Sequence, residues 1–172
     1  MSLTLSALNS CDRAAFTAAL GHLFEHSPWV AEETFPQKPF ADLDALHAAL
    51  CRTMMGAPAG RRLALVRAHP DLAGRLARSG ELTEASAREQ SAAGLDRLSP
   101  AEASDIQRLN DAYKERFGFP FVICARLNAK DTILASMRAR LSNGPEEELS
   151  TALGEIAKIV RLRLNEAITK EN

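Results

Sequence analysis

The sequence predicts an all-α fold, a single-domain bundle of roughly seven to nine helices over residues 1–172 with no significant sheet. Three observations predict it. Alanine, leucine, arginine and glutamate dominate the chain, and all four favour helix. Apolar residues recur at helical spacing, as in Leu43, Leu46, Leu50 and Met54, or Ile106, Leu109, Tyr113 and Phe117. One run alone, Phe119-Pro120-Phe121-Val122-Ile123-Cys124, has the aromatic and β-branched character of a strand, and no second run exists to pair with it.

Taken in order, the first helix starts near Ser10 or Asp12 and runs to about Glu25, stopped by Ser27-Pro28 because a residue before proline is pushed out of helical geometry. A loop holding Pro36 and Pro39 follows. Asp42 caps the second helix, and a break lies between Gly56 and Gly60. A short helix over 61–68 ends at His69-Pro70. Thr83 caps another that stops at Gly94. Ser99-Pro100-Ala101-Glu102 carries a serine cap, a first-turn proline and a glutamate three positions on, the signature of a capping box. Helices over 128–141 and 145–169 complete the chain, separated by Ser142-Asn143-Gly144-Pro145. The segment from Phe119 is then a buried extended stretch without a ladder, whose N–H groups need side chains, water or a ligand as partners.

Composition narrows the function. With 21 basic and 22 acidic residues the net charge is -1, which gives no reason to propose nucleic acid or an anionic membrane as partner. Apolar runs fall short of the roughly 20 residues that span a bilayer. Cys11, Cys51 and Cys124 are scattered without metal-ligand spacing, which suits a reducing compartment, and the first residues do not read as a secretory leader. The expected location is the cytoplasm.

Four groups could carry chemistry. His22-Leu23-Phe24-Glu25-His26 matches the HxxEH arrangement of inverted zinc proteases, in which histidines four apart share a helix face and the glutamate is the base. A third ligand is required and no acidic motif downstream is placed for it, so His26 is read as part of a helix end. His69 precedes Pro70, which suits a first helical position, and an imidazole near a helix N-terminus is favoured in its neutral form, able to act as base or acid. Ser86, Glu89 and Gln90 share one helical face beside small residues: either a solvated stripe, or polar groups gripping a ligand's amides. Arg163 falls beside Ile156, at the margin of the stripe formed by Leu149, Leu153, Ile156, Val160 and Ala167, while Arg161 points away. A guanidinium there pairs with an internal Asp or Glu, snorkels out to solvent along its stem, or clamps a substrate carboxylate.

These residues sit in blocks that resemble a known family. Glu25-His26-Ser27-Pro28-Trp29-Val30-Ala31, His69-Pro70-Asp71-Leu72-Ala73-Gly74, Glu89-Gln90-Ser91-Ala92-Ala93-Gly94-Leu95, Phe117-Gly118-Phe119-Pro120-Phe121-Val122-Ile123 and Leu162-Arg163-Leu164 resemble, in order, signatures of the 2-oxo-4-hydroxy-4-carboxy-5-ureidoimidazoline (OHCU) decarboxylases. The resemblance implies an all-helical homodimer that converts OHCU to (S)-allantoin and carbon dioxide in urate degradation, with no metal or organic cofactor. It implies catalytic roles for His69, Glu89 and Arg163. Pro70, Ser86 and Gln90 would bind substrate, as would Phe119, Phe121, Val122, Ile123, Cys124 and Ala125, in part through backbone amides. Two other readings of the residues stand beside it: a zinc hydrolase on His22, Glu25 and His26, and a non-catalytic helical binding or adaptor domain.

Overall fold

Local signals near the N-terminus build a series of short, individually capped helices. In the computed structural model, which describes residues 3–74 and 79–169, Thr4 caps α1 (Leu5–Ser10) and Asp12 caps α2 (Arg13–Leu20) through bonds from the amides of Ala7 and Ala15. α2 is shorter than the sequence predicts. It gives way to a 3-10 turn at Gly21–Leu23, and the chain is extended at Phe24. Then come α3 (Trp29–Thr34), a 3-10 turn at Phe35–Gln37, α4 (Leu43–Gly56) capped by Asp42, and α5 (Ala59–Arg67). α6 (Glu84–Ala92) is capped by Thr83 and α7 (Pro100–Phe117) carries the expected Ser99/Glu102 capping box. A 3-10 turn at Ala125–Leu127, α8 (Lys130–Arg140) and α9 (Pro145–Ala167) follow. Among the described residues there are nine α-helices and no strand.

The chain divides into two units, residues 1–68 with 157–172, and residues 69–156. In the first, α3 packs on α2 and α4, and Phe16, Leu20, Leu46, Leu50 and Met54 are fully removed from water. The α4 stripe is the one the spacing predicts, except that Leu43 at its start is only half-buried. The second unit buries Ile106, Leu109 and Tyr113 from α7 with Ile133 and Met137 from α8. Each such side chain contributes about 1.5–3 kcal/mol by leaving water. No helix among the described residues is long and apolar enough to cross a membrane.

Candidate functional site

The second unit gathers three stretches that the sequence singles out. The first is the loop at 69–74. His69 is buried and follows the carbonyl end of α5. The expectation that Pro70 opens a helix is not met: residues 70–74 are turn and coil, so they offer His69 no helix amide end. Instead α6 and α7 hold the loop. Gln90 Oε1 accepts the Ala73 amide at 2.8 Å, Asn110 Nδ2 donates to the Leu72 carbonyl at 2.9 Å, and Lys114 pairs with Asp71 at 2.7 Å. Ala73 has a φ of +47°, which side-chain-bearing residues seldom adopt. The turn is tight enough that a Cβ on Gly74 would stand 2.6 Å from that of Asp71, so only glycine fits there.

The second stretch is α6. Ser86 and Gln90 are buried, Glu89 is half-buried, and Ala87 and Arg88 are exposed. The solvated-stripe reading is therefore overturned at Ser86 and Gln90. The helix ends in a Schellman motif, with Gly94 at a φ of +82°, its amide donating to the Ser91 carbonyl and that of Leu95 to Gln90 at 3.0 Å.

The third stretch, 119–125, is buried throughout and forms no ladder. α6 packs against the 3-10 turn at its end. Its carbonyls are taken by side chains: Arg140 Nη1 donates to Val122 O at 2.8 Å and Asn128 Nδ2 to Cys124 O at 2.9 Å. Among the described residues, the amides of Phe121, Val122 and Ile123 meet no protein acceptor. The rings of Phe119 and Phe121 stand edge-on to Tyr113, with centroids 5.8 and 5.4 Å away. Burial, and then the hydrogen bond to Glu148, push the Tyr113 hydroxyl far above its ordinary range, so it stays protonated and donates to Glu148 at 2.7 Å.

Arg163 and the HxxEH motif lie in the first unit. His22 stands in the 3-10 turn, and His26 has a φ of +46°. The motif is not a helix, so the shared face that zinc ligation requires is lost, and both imidazoles are exposed. Glu25 is buried and pairs with Arg163, Nη2 to Oε1 at 3.0 Å, while Nη1 donates to the Leu23 carbonyl at 3.2 Å. A tight turn aims the carboxylate: Ser27 Oγ donates to Glu25 O at 2.9 Å. Of the readings of Arg163, the internal ion pair is present, and the burial of the side chain excludes the snorkelling stem. Arg161 points away as expected, onto Asp44. His47 is half-buried with Nε2 2.8 Å from the Ala157 carbonyl.

Sequence reasoning missed Asn110, Lys114, Arg140 and Glu148. Asn110 was legible as a polar residue one turn before Tyr113 on the buried face of α7, and Glu148 as a charge four residues before Ala152 in the core stripe of α9.

The sequence matches the OHCU decarboxylase family over residues 9–165, and the chain belongs to that family. It is 43% identical to the 2-oxo-4-hydroxy-4-carboxy-5-ureidoimidazoline decarboxylase of Haloferax volcanii, covering 98% of each chain. It is 41% identical to that of Mus musculus, covering 94% of this chain and 90% of the other. A crystal structure of (S)-allantoin synthase superposes with a TM-score of 0.78 at 29% identity, covering 99% of this chain, which spans 55% of that one.

Proposed function

We propose that this chain decarboxylates OHCU to (S)-allantoin and carbon dioxide, with His69, Glu89 and the backbone of 119–125 around the substrate. The observation that carries the reading is the convergence within one unit of the His69 loop, α6 and the 119–125 segment, joined by the Gln90 bond to Ala73 and the packing of α6 on Ala125–Leu127. The substrate supplies its own electron sink. When the bond to the carboxylate breaks, its electron pair moves between the two ring carbons and the neighbouring ring C=N nitrogen takes up a proton. The resulting enol then loses its hydroxyl proton and gains one on the carbon bearing the ureido group, which sets the (S) configuration.

The protein's tasks are to hold the substrate, stabilise the developing enolate-like oxygen and deliver a proton to one face. Glu89 accepts from ureido or ring N–H groups, Gln90 donates through Nε2 to a substrate oxygen, His69 handles the proton, and amides near Ile123 face the enolate-like oxygen. Ser86 and Pro70 line the same pocket in this reading. Arg163 enters as the match to the family's arginine, with Glu25 fixing its guanidinium plane. The chemistry needs neither metal nor organic cofactor. A homodimer comes with the family resemblance and a cytoplasmic location with the scattered cysteines, and sedimentation of the purified chain tests the first.

Freshly generated OHCU mixed with the protein, with the chirality of the allantoin followed by circular dichroism, tests the proposal. Wild type should give (S)-allantoin, whereas His69→Ala and His69→Asn should leave the slow uncatalysed route to racemate. Stereospecific turnover at the wild-type rate in His69→Ala removes His69 from the mechanism. No turnover by the wild type favours a helical binding domain instead.

A further inference from the structure

Arg140 is the last residue of α8 and is buried, yet it carries a full charge into the second unit's core. Its Nε donates to Glu148 Oε1 at 2.5 Å, and Glu148, with no exposure at all, also accepts from Tyr113 and, at 3.0 Å, from Asn143 Nδ2. The guanidinium carbon lies 4.2 Å from the centroid of the Phe121 ring. A buried pair of this kind is seldom more stable than apolar residues of the same volume, so stability is a poor reason for it to be here. What an apolar residue could not do is donate to the Val122 carbonyl, as Arg140 Nη1 does.

That bond fixes more than one oxygen. The Val122 carbonyl and the Ile123 amide belong to one planar trans peptide and point in opposite directions. Holding the carbonyl against Arg140 therefore sets where the Ile123 N–H is aimed, and Asn128 does the same for the Ala125 amide through Cys124 O. We infer that Arg140, braced by Glu148, is a positioning residue for the decarboxylation, aiming the Ile123 amide at the oxygen on which charge develops. The inference rests on the proposed reading that 119–125 faces substrate.

The test compares kcat and KM for OHCU in the double variants Arg140→Leu/Glu148→Gln and Arg140→Met/Glu148→Gln, which leave no buried charge unpaired and put no donor behind Val122. Both lose the bond to Val122. Each should lower kcat about 10- to 100-fold, as misaimed groups do, with KM little changed because the amide acts in the transition state. Tyr113→Phe removes a bond to Glu148 but leaves the Val122 carbonyl held, so it should lower stability while kcat stays near wild type. An unchanged kcat in either Arg140 variant that folds overturns the inference while leaving the decarboxylase reading intact. Absence of turnover in the wild type overturns that reading and the inference with it.

Discussion

Glu25 and Arg163 form an ion pair with side-chain exposures of only 2% and 5%, so solvent does little to screen it. Glu25→Gln keeps the shape, and its amide oxygen can still accept from Nη2, but the carboxylate's charge is gone. Arg163 keeps the Leu23 carbonyl, a neutral acceptor. Removing one partner of a buried pair costs about 3–5 kcal/mol because the remaining charge stays desolvated and uncompensated. For a chain of this length, each kcal/mol lowers Tm by about 2–4 °C, so the loss amounts to roughly 6–20 °C. Urea unfolding followed by the fluorescence of Trp29, the single tryptophan and a member of the same unit, reads the effect directly. The midpoint should fall with little change in slope. Glu25→Leu/Arg163→Met, which removes both charges, should be more stable than Glu25→Gln alone. A loss below about 1 kcal/mol for Glu25→Gln, or a double variant no better than the single, would refute the view that Glu25 holds Arg163 by charge.

Two further outcomes follow from local geometry. Partial desolvation of the ring, and then the nearby charge of Arg163, lower the pKa of His22 below its ordinary 6.5. The unfolded chain therefore binds more protons just below that value, and stability should rise with pH through this window and fall on acidification; in His22→Gln the urea midpoint should lose that part of its slope between pH 5 and 7. Gly94→Ala puts a side chain at a φ of +82° where the nearest outside atom is Arg97 Nη2 at 4.0 Å, so the cost is backbone strain of about 1–2 kcal/mol in thermal melts, and Gly94→Asn should cost less.

The helices were legible where a cap and a periodic stripe coincide. Asp42, Thr83 and Ser99 cap as their chemistry requires, and Ile106, Leu109 and Tyr113 are buried as their spacing predicts. The reading failed where tertiary contacts decide. Nothing local ends α2 at Leu20, since Gly21 to Glu25 could continue the helix; the extended Phe24 and the turn at His26 come with the burial of Leu23, Phe24 and Glu25. Likewise Pro70 is compatible with a helix start, but the bonds from Gln90, Asn110 and Lys114 to the loop favour a turn that local propensity does not encode. Arg140 was invisible because a basic residue in the last turn of α8 is what the helix dipole favours anyway.

The family's signature blocks therefore mix two kinds of residue, and the structure separates them by what each side chain already touches. Glu25-His26-Ser27-Pro28 is a device for presenting one carboxylate to one guanidinium: Ser27 closes the turn, His26 takes the left-handed backbone, and neither imidazole is held for chemistry. Gln90 is spent in part on the loop, since its Oε1 is engaged by Ala73, so the substrate-binding role proposed for it falls to its Nε2, which lies 3.5 Å from the Asp71 carbonyl. The phenylalanines of the 119–125 segment are committed to Tyr113, so the role proposed for that segment falls to its peptide groups rather than its aromatic rings. A backbone donor is blind to side-chain substitution but sensitive to its direction. In the proposed role of this segment, that is the physical reason for a charged residue as costly to bury as Arg140 to stand behind the Val122 carbonyl.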